Sequence, residues 1–281
     1  MVREVAVLEL QDAVRDLCLE ANAVLPDDAL RALEQALAEE TSSRGQFILE
    51  EILANDRLAA KCRLPACQDT GLAILFLELG QEVSLIGDDL SSAIDEGVRQ
   101  GYRRGCLRNS VSLDPLRRRN SGDNTPAVLH VEVVPGDSLR LTLLPKGGGA
   151  ENASALSMLT PASGWDGVRG FVLGQVCRAG ASACPPLVVG VGVGGSFESC
   201  ALLAKKALLR PLGSSHPDPQ VAAWESELRM AVNDLGIGPM GLGGRTTALS
   251  VTIEVAPCHI ASLPVAVNMN CHSHRCRSVM I

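Results

Sequence analysis

Aromatic side chains are almost absent from this 281-residue chain: four Phe, two Trp and one Tyr make up 2% of it. So few stacking platforms, with a formal net charge of −7 and a pI near 5.3, exclude nucleic acid as the expected partner. No apolar run approaches the ~18 residues that a membrane helix needs. Residues 1–10 carry acids where a secretory leader would be basic or apolar. A soluble, cytoplasmic protein without a membrane partner is expected. No two cysteines are spaced Cys-x-x-Cys, which argues against a structural zinc knuckle.

What the chain does have is apolar substance and thiols. Hydrophobic residues make up 46%, enough over this length for one large domain or two smaller ones. The ten cysteines are scattered rather than framework-spaced, so a reducing compartment fits better than disulfides. Cys18, Cys106, Cys177 and Cys200 fall in helix-like patterns and are expected to be small buried hydrophobes. Cys67, Cys184, Cys258, Cys271 and, more weakly, Cys276 lie beside Pro, Gly or polar residues.

Apolar residues at helical spacing (Val7, Leu10, Val14, Leu17, Ala21) predict a helix over 5–24, and Pro26-Asp27-Asp28 opens a second that runs to Glu40. A third spans about 43–61, so 1–62 reads as an all-helical layer without chemistry. A buried strand is expected at 72–77 and a helix at 88–104. The arginines 103, 104, 108 and 117–119 then form either a solvated face or a field that draws in an anionic substrate. Alternating runs at 128–134 and 138–144, joined by Pro135-Gly136-Asp137, predict a hairpin. Further helices are expected at 168–181, 197–210 and 217–234, and strands at 187–193, 247–255 and 263–269. Gly194-Gly195-Ser196, between a strand and a helix, is a possible seat for a carboxylate or phosphate. The fold class is α/β, in the mixed α+β sense: a helical N-terminal layer (1–62) and then mixed sheets flanked by helices (63–281), forming one continuous catalytic domain.

Pro65-Ala66-Cys67-Gln68-Asp69-Thr70-Gly71 puts a thiol, an amide and a carboxylate on consecutive positions between a helix and a strand. Cys184 and Cys271 likewise end elements in proline-marked or polar loops. Spacing alone leaves these three as ordinary buried thiols or as thiolates gathered around a cluster in a cleft. A zinc site of Cys258, His259, Cys271 and His272 is a weaker option. Lys146-Gly147-Gly148-Gly149 is either a flexible hinge or a backbone wall that approaches a ligand closely.

Several stretches match a known pattern. They are Ala66-Cys67-Gln68-Asp69-Thr70-Gly71, Gly122-Asp123-Asn124-Thr125-Pro126, Leu144 through Asn152, Cys184-Pro185-Pro186 with the glycines that follow, and Ala266-Val267-Asn268-Met269-Asn270-Cys271-His272. In this order they resemble the iron–sulfur hydro-lyases of the class I fumarase and L(+)-tartrate dehydratase family, over about Leu8 to Arg277. The matching part is that family's alpha subunit or N-terminal catalytic domain. The resemblance implies that Cys67, Cys184 and Cys271 hold a 4Fe-4S cluster with one iron lacking a protein ligand. It places Gln68 and Arg108 against a small dicarboxylate substrate, with Lys146, Gly147, Gly148 and Gly149 as a wall of the site. Asp69 and His259 become the acid/base or orienting groups. The substrate is expected to be malate or L-tartrate. The C3 base belongs, in the family, to a swivelling domain. The chain ends at Ile281, so that domain is expected on a separate beta subunit, with a homodimer of this chain inside the larger complex. Cys276 is expected to be a bystander. A non-catalytic binding or sensor subunit of the same fold is the alternative.

Overall fold

In the computed structural model, which describes residues 2–281, the elements run β1 (Arg3–Ala6), α1 (Val7–Ala23), α2 (Asp27–Glu39), α3 (Ser43–Cys62), β2 (Leu72–Gly80), β3 (Val83–Ile86), α4 (Leu90–Arg104), β4 (Ser112–Asp114), β5 (Arg119–Asn120), β6 (Val128–Val134), β7 (Leu139–Lys146), α5 (Gly148–Asn152), β8 (Ala155–Leu159), α6 (Gly164–Ala179), β9 (Leu187–Gly194), α7 (Phe197–Ala207), α8 (Pro219–Asn233), β10 (Ala248–Ala256), β11 (Leu263–Asn270) and β12 (Arg277–Met280). The fold is mixed α/β, as the patterning implies. Two units are woven from separated stretches: the segment ending at Pro26, Asn55–Gly148 and Arg275–Ile281 form the first, and Asp27–Ala54 with Gly149–His274 form the second. No helix among the described residues is long and apolar enough to cross a membrane.

In the first unit, β2 is the strand to which the others are fitted. Ala73, Ile74, Leu75 and Leu77 are all buried, so both of its faces are covered and it takes a central place in the order β12-β7-β2-β6. That placement overturns the expected hairpin of 128–134 with 138–144. β6 pairs parallel to β2 on one side and β7 antiparallel on the other. The connection at 135–137 is instead bonded to the end of β2, where Gly80 N–H donates to Ser138 O. Two alternating runs and a turn cannot reveal that a more apolar strand will insert between them. Helices α1 and α4 pack side by side, with Leu10, Val14, Leu17, Ile94 and Val98 in the same core as Leu75, Leu77 and Leu141. Their close approach needs glycine: a Cβ on Gly97 would lie 2.5 Å from Gln11 O, and one on Gly101 2.6 Å from Cys18 Cβ. Residues 5 and 6, read as the start of a helix, belong instead to β1, which pairs with β3.

The second unit centres on β9 in the order β10-β9-β11-β8. Successive side chains of a strand point to opposite faces, and here each face has its own helices. Val189, Val191, Val251, Ile253, Val265 and Val267 share a core with Val172, Val176, Leu228 and Val232 of α6 and α8. The alternate positions meet α7, where Cys200 and Ala204 cluster with Ala266. A Cβ on Gly190 would stand 2.2 Å from Ala204 O, and one on Gly192 2.3 Å from Cys200 O. Those two glycines let α7 lie directly on the sheet.

Candidate active site

The loop after α3 carries Cys67, Gln68 and Asp69, and the first unit ties it down at both ends. Ala66 N–H donates to the main-chain carbonyl of Asn22, near the end of α1, at 2.9 Å. Ala66 O accepts from Asn55 Nδ2 at 2.9 Å. At the other end, Asp69 O accepts from Arg275 Nη2 at 2.8 Å, while Arg275 Nη1 donates to Asn22 Oδ1 at 2.9 Å. Asn22 and Arg275 are only 1% and 2% exposed. Asn22 and Asn55, both within 1–62, thus hold the Cys67 loop in place. Nothing in the helical pattern marks them, since an Asn in a helix ordinarily faces water.

Within the loop, Asp69 N–H points at Cys67 Sγ, 3.4 Å away. The Asp69 carboxylate accepts from Gly148 N–H at 2.7 Å and Gly71 N–H at 3.1 Å, which fixes its plane. Gly71, at φ +72°, has no room for a side chain: a Cβ would lie 2.5 Å from the Lys146 carbonyl. A Cβ on Gly147 would lie 3.1 Å from Asp69 Oδ2. Gly148 and Gly149 open α5. Lys146 ends β7 opposite Leu72 and is buried. Tyr102, the one tyrosine, sends its hydroxyl to Thr70 O and Gly71 O at 2.9 and 3.0 Å, and burial pushes its phenol up, so it serves as a fixed donor. Thr70 Oγ1 donates to Arg108 O at 2.9 Å, which anchors that residue's backbone while its side chain stays exposed. Gln68 is exposed and Cys67 half-buried.

Cys184 and Cys271 belong to the second unit. Cys184 follows a 3-10 turn and takes the left-handed conformation, φ 54°, ψ 67°, with Pro185 next disfavouring the right-handed helical one. Cys271 follows β11. The two meet through the main chain: His272 N–H donates to Cys184 O at 3.2 Å. The turn after Cys271 is clipped by Asn270 Nδ2 and His274 Nδ1, 2.9 Å apart. Both cysteines are half-buried. Two thiols on hydrogen-bonded backbones fit part of a soft-ligand set. Among the described residues no group of three or more His, Cys, Asp or Glu is gathered to hold a single metal ion. That removes the zinc site of Cys258, His259, Cys271 and His272. A multi-iron cube differs, because it places each thiolate on a separate iron.

His259 is exposed on the rim of an open depression of about 620 Å³ lined by Met158, Gly195, Phe197 and Cys258. Its Nδ1 accepts from Ala261 N–H at 3.1 Å, so the ring proton sits on Nε2. The possible anion seat at Gly194-Gly195-Ser196 is filled from within: Ser196 N–H donates to Ser199 Oγ at 2.7 Å and Ser196 Oγ to Glu198 Oε1 at 2.9 Å. Cys18 and Cys200 are buried as expected, but Cys106 and Cys177 are exposed. Cys106 lies beyond the end of α4, and Cys177 points away from the face of α6 that buries Val168, Val172 and Val176.

A family model described as fumarate hydratase (fumerase) matches residues 11–280. The chain belongs to the fumarate hydratase family. It is accordingly an enzyme of the hydro-lyase type. Relatives match along nearly their whole length. One named "Putative L(+)-tartrate dehydratase subunit alpha", from Methanocaldococcus jannaschii, is 40% identical over 276 residues, 95% of this chain and 96% of the relative. The L(+)-tartrate dehydratase subunit alpha of Escherichia coli O157:H7 is 35% identical over 282 residues, 99% of this chain and 93% of the relative. That of Escherichia coli K12 is 34% identical over the same shares.

Proposed function

We propose that this chain is the cluster-bearing alpha subunit of a hydro-lyase that removes water from a C4 2-hydroxydicarboxylate. Similarity over nearly the full length to alpha subunits named for L(+)-tartrate dehydration carries this assignment. It also favours L-tartrate to oxaloacetate over malate to fumarate. Cys67, Cys184 and Cys271 would hold a 4Fe-4S cluster. When bound, the cluster supplies an iron without a protein ligand, a Lewis acid toward the 2-hydroxyl. Arg108, exposed on an anchored backbone, takes the distal carboxylate as a bidentate fork. Gln68 offers an amide beside it, and the Lys146–Gly149 edge bounds the substrate. Asp69, its carboxylate already fixed by two backbone N–H groups, orients the substrate more than it carries protons. His259 holds a proton at Nε2 for the departing hydroxyl. The base for the C3 proton is assigned to a beta subunit, and the working assembly pairs two copies of this chain with two of that partner.

The test is anaerobic reconstitution with iron and sulfide, with and without the partner. Iron and acid-labile sulfide are measured, and then turnover on L-tartrate and malate. Roughly four irons per chain with partner-dependent loss of water from L-tartrate is the expected result. A reconstituted complex that binds both diacids and turns over neither would make the chain a sensor instead. Protein that takes up no iron or sulfide would end the cluster assignment.

A further inference from the structure

Buried arginines are rare, and Arg275 is only 2% exposed. Its hydrogen bonds go to a main-chain carbonyl and a side-chain amide. One arm donates to Asp69 O at 2.8 Å and the other to Asn22 Oδ1 at 2.9 Å. Asn22 is itself tethered to its helix through Nδ2 and Cys18 O, 2.9 Å, and its own carbonyl receives Ala66 N–H. The stretch 66–69 is thus closed into a ring: Ala66 to Asn22 by main chain, Asn22 to Arg275 by side chain, and Arg275 back to Asp69. Cys67 and Gln68 are the two residues inside it. Arg275 Nε has no hydrogen-bond partner, so the guanidinium is committed through its two Nη atoms.

We propose that Arg275 is a positioning residue which, with Asn22, clamps the Cys67–Gln68–Asp69 loop in the conformation the hydro-lyase site uses. The role rests on the functional assignment above, but the clamp itself does not. Arg275 makes its hydrogen bonds to Asp69 O and Asn22 Oδ1, not to Cys67. It acts through the main chain of Asp69, whose carboxylate and N–H then fall toward Gly148 and Cys67. Lysine in its place keeps the charge but, with a single ammonium, lacks the planar fork that serves two acceptors.

Amide hydrogen exchange, read by mass spectrometry on cluster-free full-length chain, tests the clamp directly. Exchange across 67–71 should speed up by about tenfold or more in Arg275→Met, and by less in Arg275→Lys, because a local opening loses charge-assisted hydrogen bonds. Strand β9 should keep its protection in both. Unchanged exchange at 67–71 in a folded variant overturns the proposal. If Arg275→Met loses protection everywhere, Arg275→Lys decides: loosening confined to 67–71 supports the clamp. Global loss in both variants makes Arg275 a core residue and overturns it. With the loaded complex, kcat per cluster should fall in Arg275→Met with KM changed less than about twofold, and Arg275→Lys should recover part of the loss. Wild-type protein that binds no iron or sulfide would defeat the cluster assignment and leave the exchange result standing.

Discussion

Asp56, in the last two turns of α3, is 2% exposed and its Oδ2 has no hydrogen-bond partner. Burial raises its carboxyl pKa from 3.8 to about 6, opposed by an Asn55 contact and by the charge of Arg275. The folded chain therefore binds the proton more tightly than the unfolded chain, and Asp56 favours folding most below pH 4. That contribution is lost as pH rises through 6. A shift of about two units at ~1.4 kcal/mol each is about 3 kcal/mol between the two limits. In Asp56→Asn the group no longer titrates. The amide brings an offset of its own, since its NH₂ has no acceptor where Oδ2 stood, but that offset does not vary with pH. Urea unfolding of both proteins from pH 4 to 8 cancels every other titration. The stability of Asp56→Asn relative to wild type should rise by about 2 kcal/mol across that range, with most of the change below pH 6.5. A difference that stays flat would mean that Asp56 is ionised at ordinary pH, and the account of its burial would be wrong.

Gly192→Ala places a methyl 2.3 Å from Cys200 O and should cost at least ~2 kcal/mol, seen as a lower urea midpoint; wild-type stability would show that α7 can lift from β9 freely. Cys184→Ser should abolish iron and sulfide uptake, whereas Cys276→Ser should retain both, which elemental analysis after anaerobic reconstitution would settle. Arg108→Lys keeps the charge and loses the fork, so KM for the diacid should rise roughly tenfold to a hundredfold with a smaller change in kcat; an unchanged KM would remove Arg108 from the substrate.

Elements with one apolar face were legible because burial imposes a period. The spacing of Val7, Leu10, Val14, Leu17 and Ala21 suffices to locate α1, and all five are buried. The long strands β2, β9, β10 and β11 stand within a few residues of the apolar runs that predict them. The short strands β1, β3, β4, β5, β8 and β12 were not seen. A strand of two to five residues has too few alternations to show a period, and its partner is set by tertiary pairing. Pairing order was illegible for the same reason. Nothing local in 128–144 says that β2 will come between its two halves.

The site divides along a similar line. Cys67, Asp69, Arg108, Cys184 and Cys271 sit in loops with Pro, Gly or polar neighbours, and the odd chemistry of those stretches exposes them in the sequence. Asn55 is exposed, as a polar residue on a helix normally is; Asn22 and Arg275 sit among helical or terminal residues where pattern reading likewise expects solvent, yet both are buried. Their burial becomes reasonable only once each donor is matched to its acceptor, Cys18 O for Asn22 Nδ2 and both Asp69 O and Asn22 Oδ1 for Arg275, pairings that no sequence displays. Most buried polar groups find partners, and one arm of Arg275 finds its acceptor in the Asp69 carbonyl, in a loop that joins neither helix nor sheet. Residues that hold the Cys67 loop are therefore chosen by backbone geometry, and those proposed for the site by side-chain chemistry. Only the second leaves a mark in a single sequence.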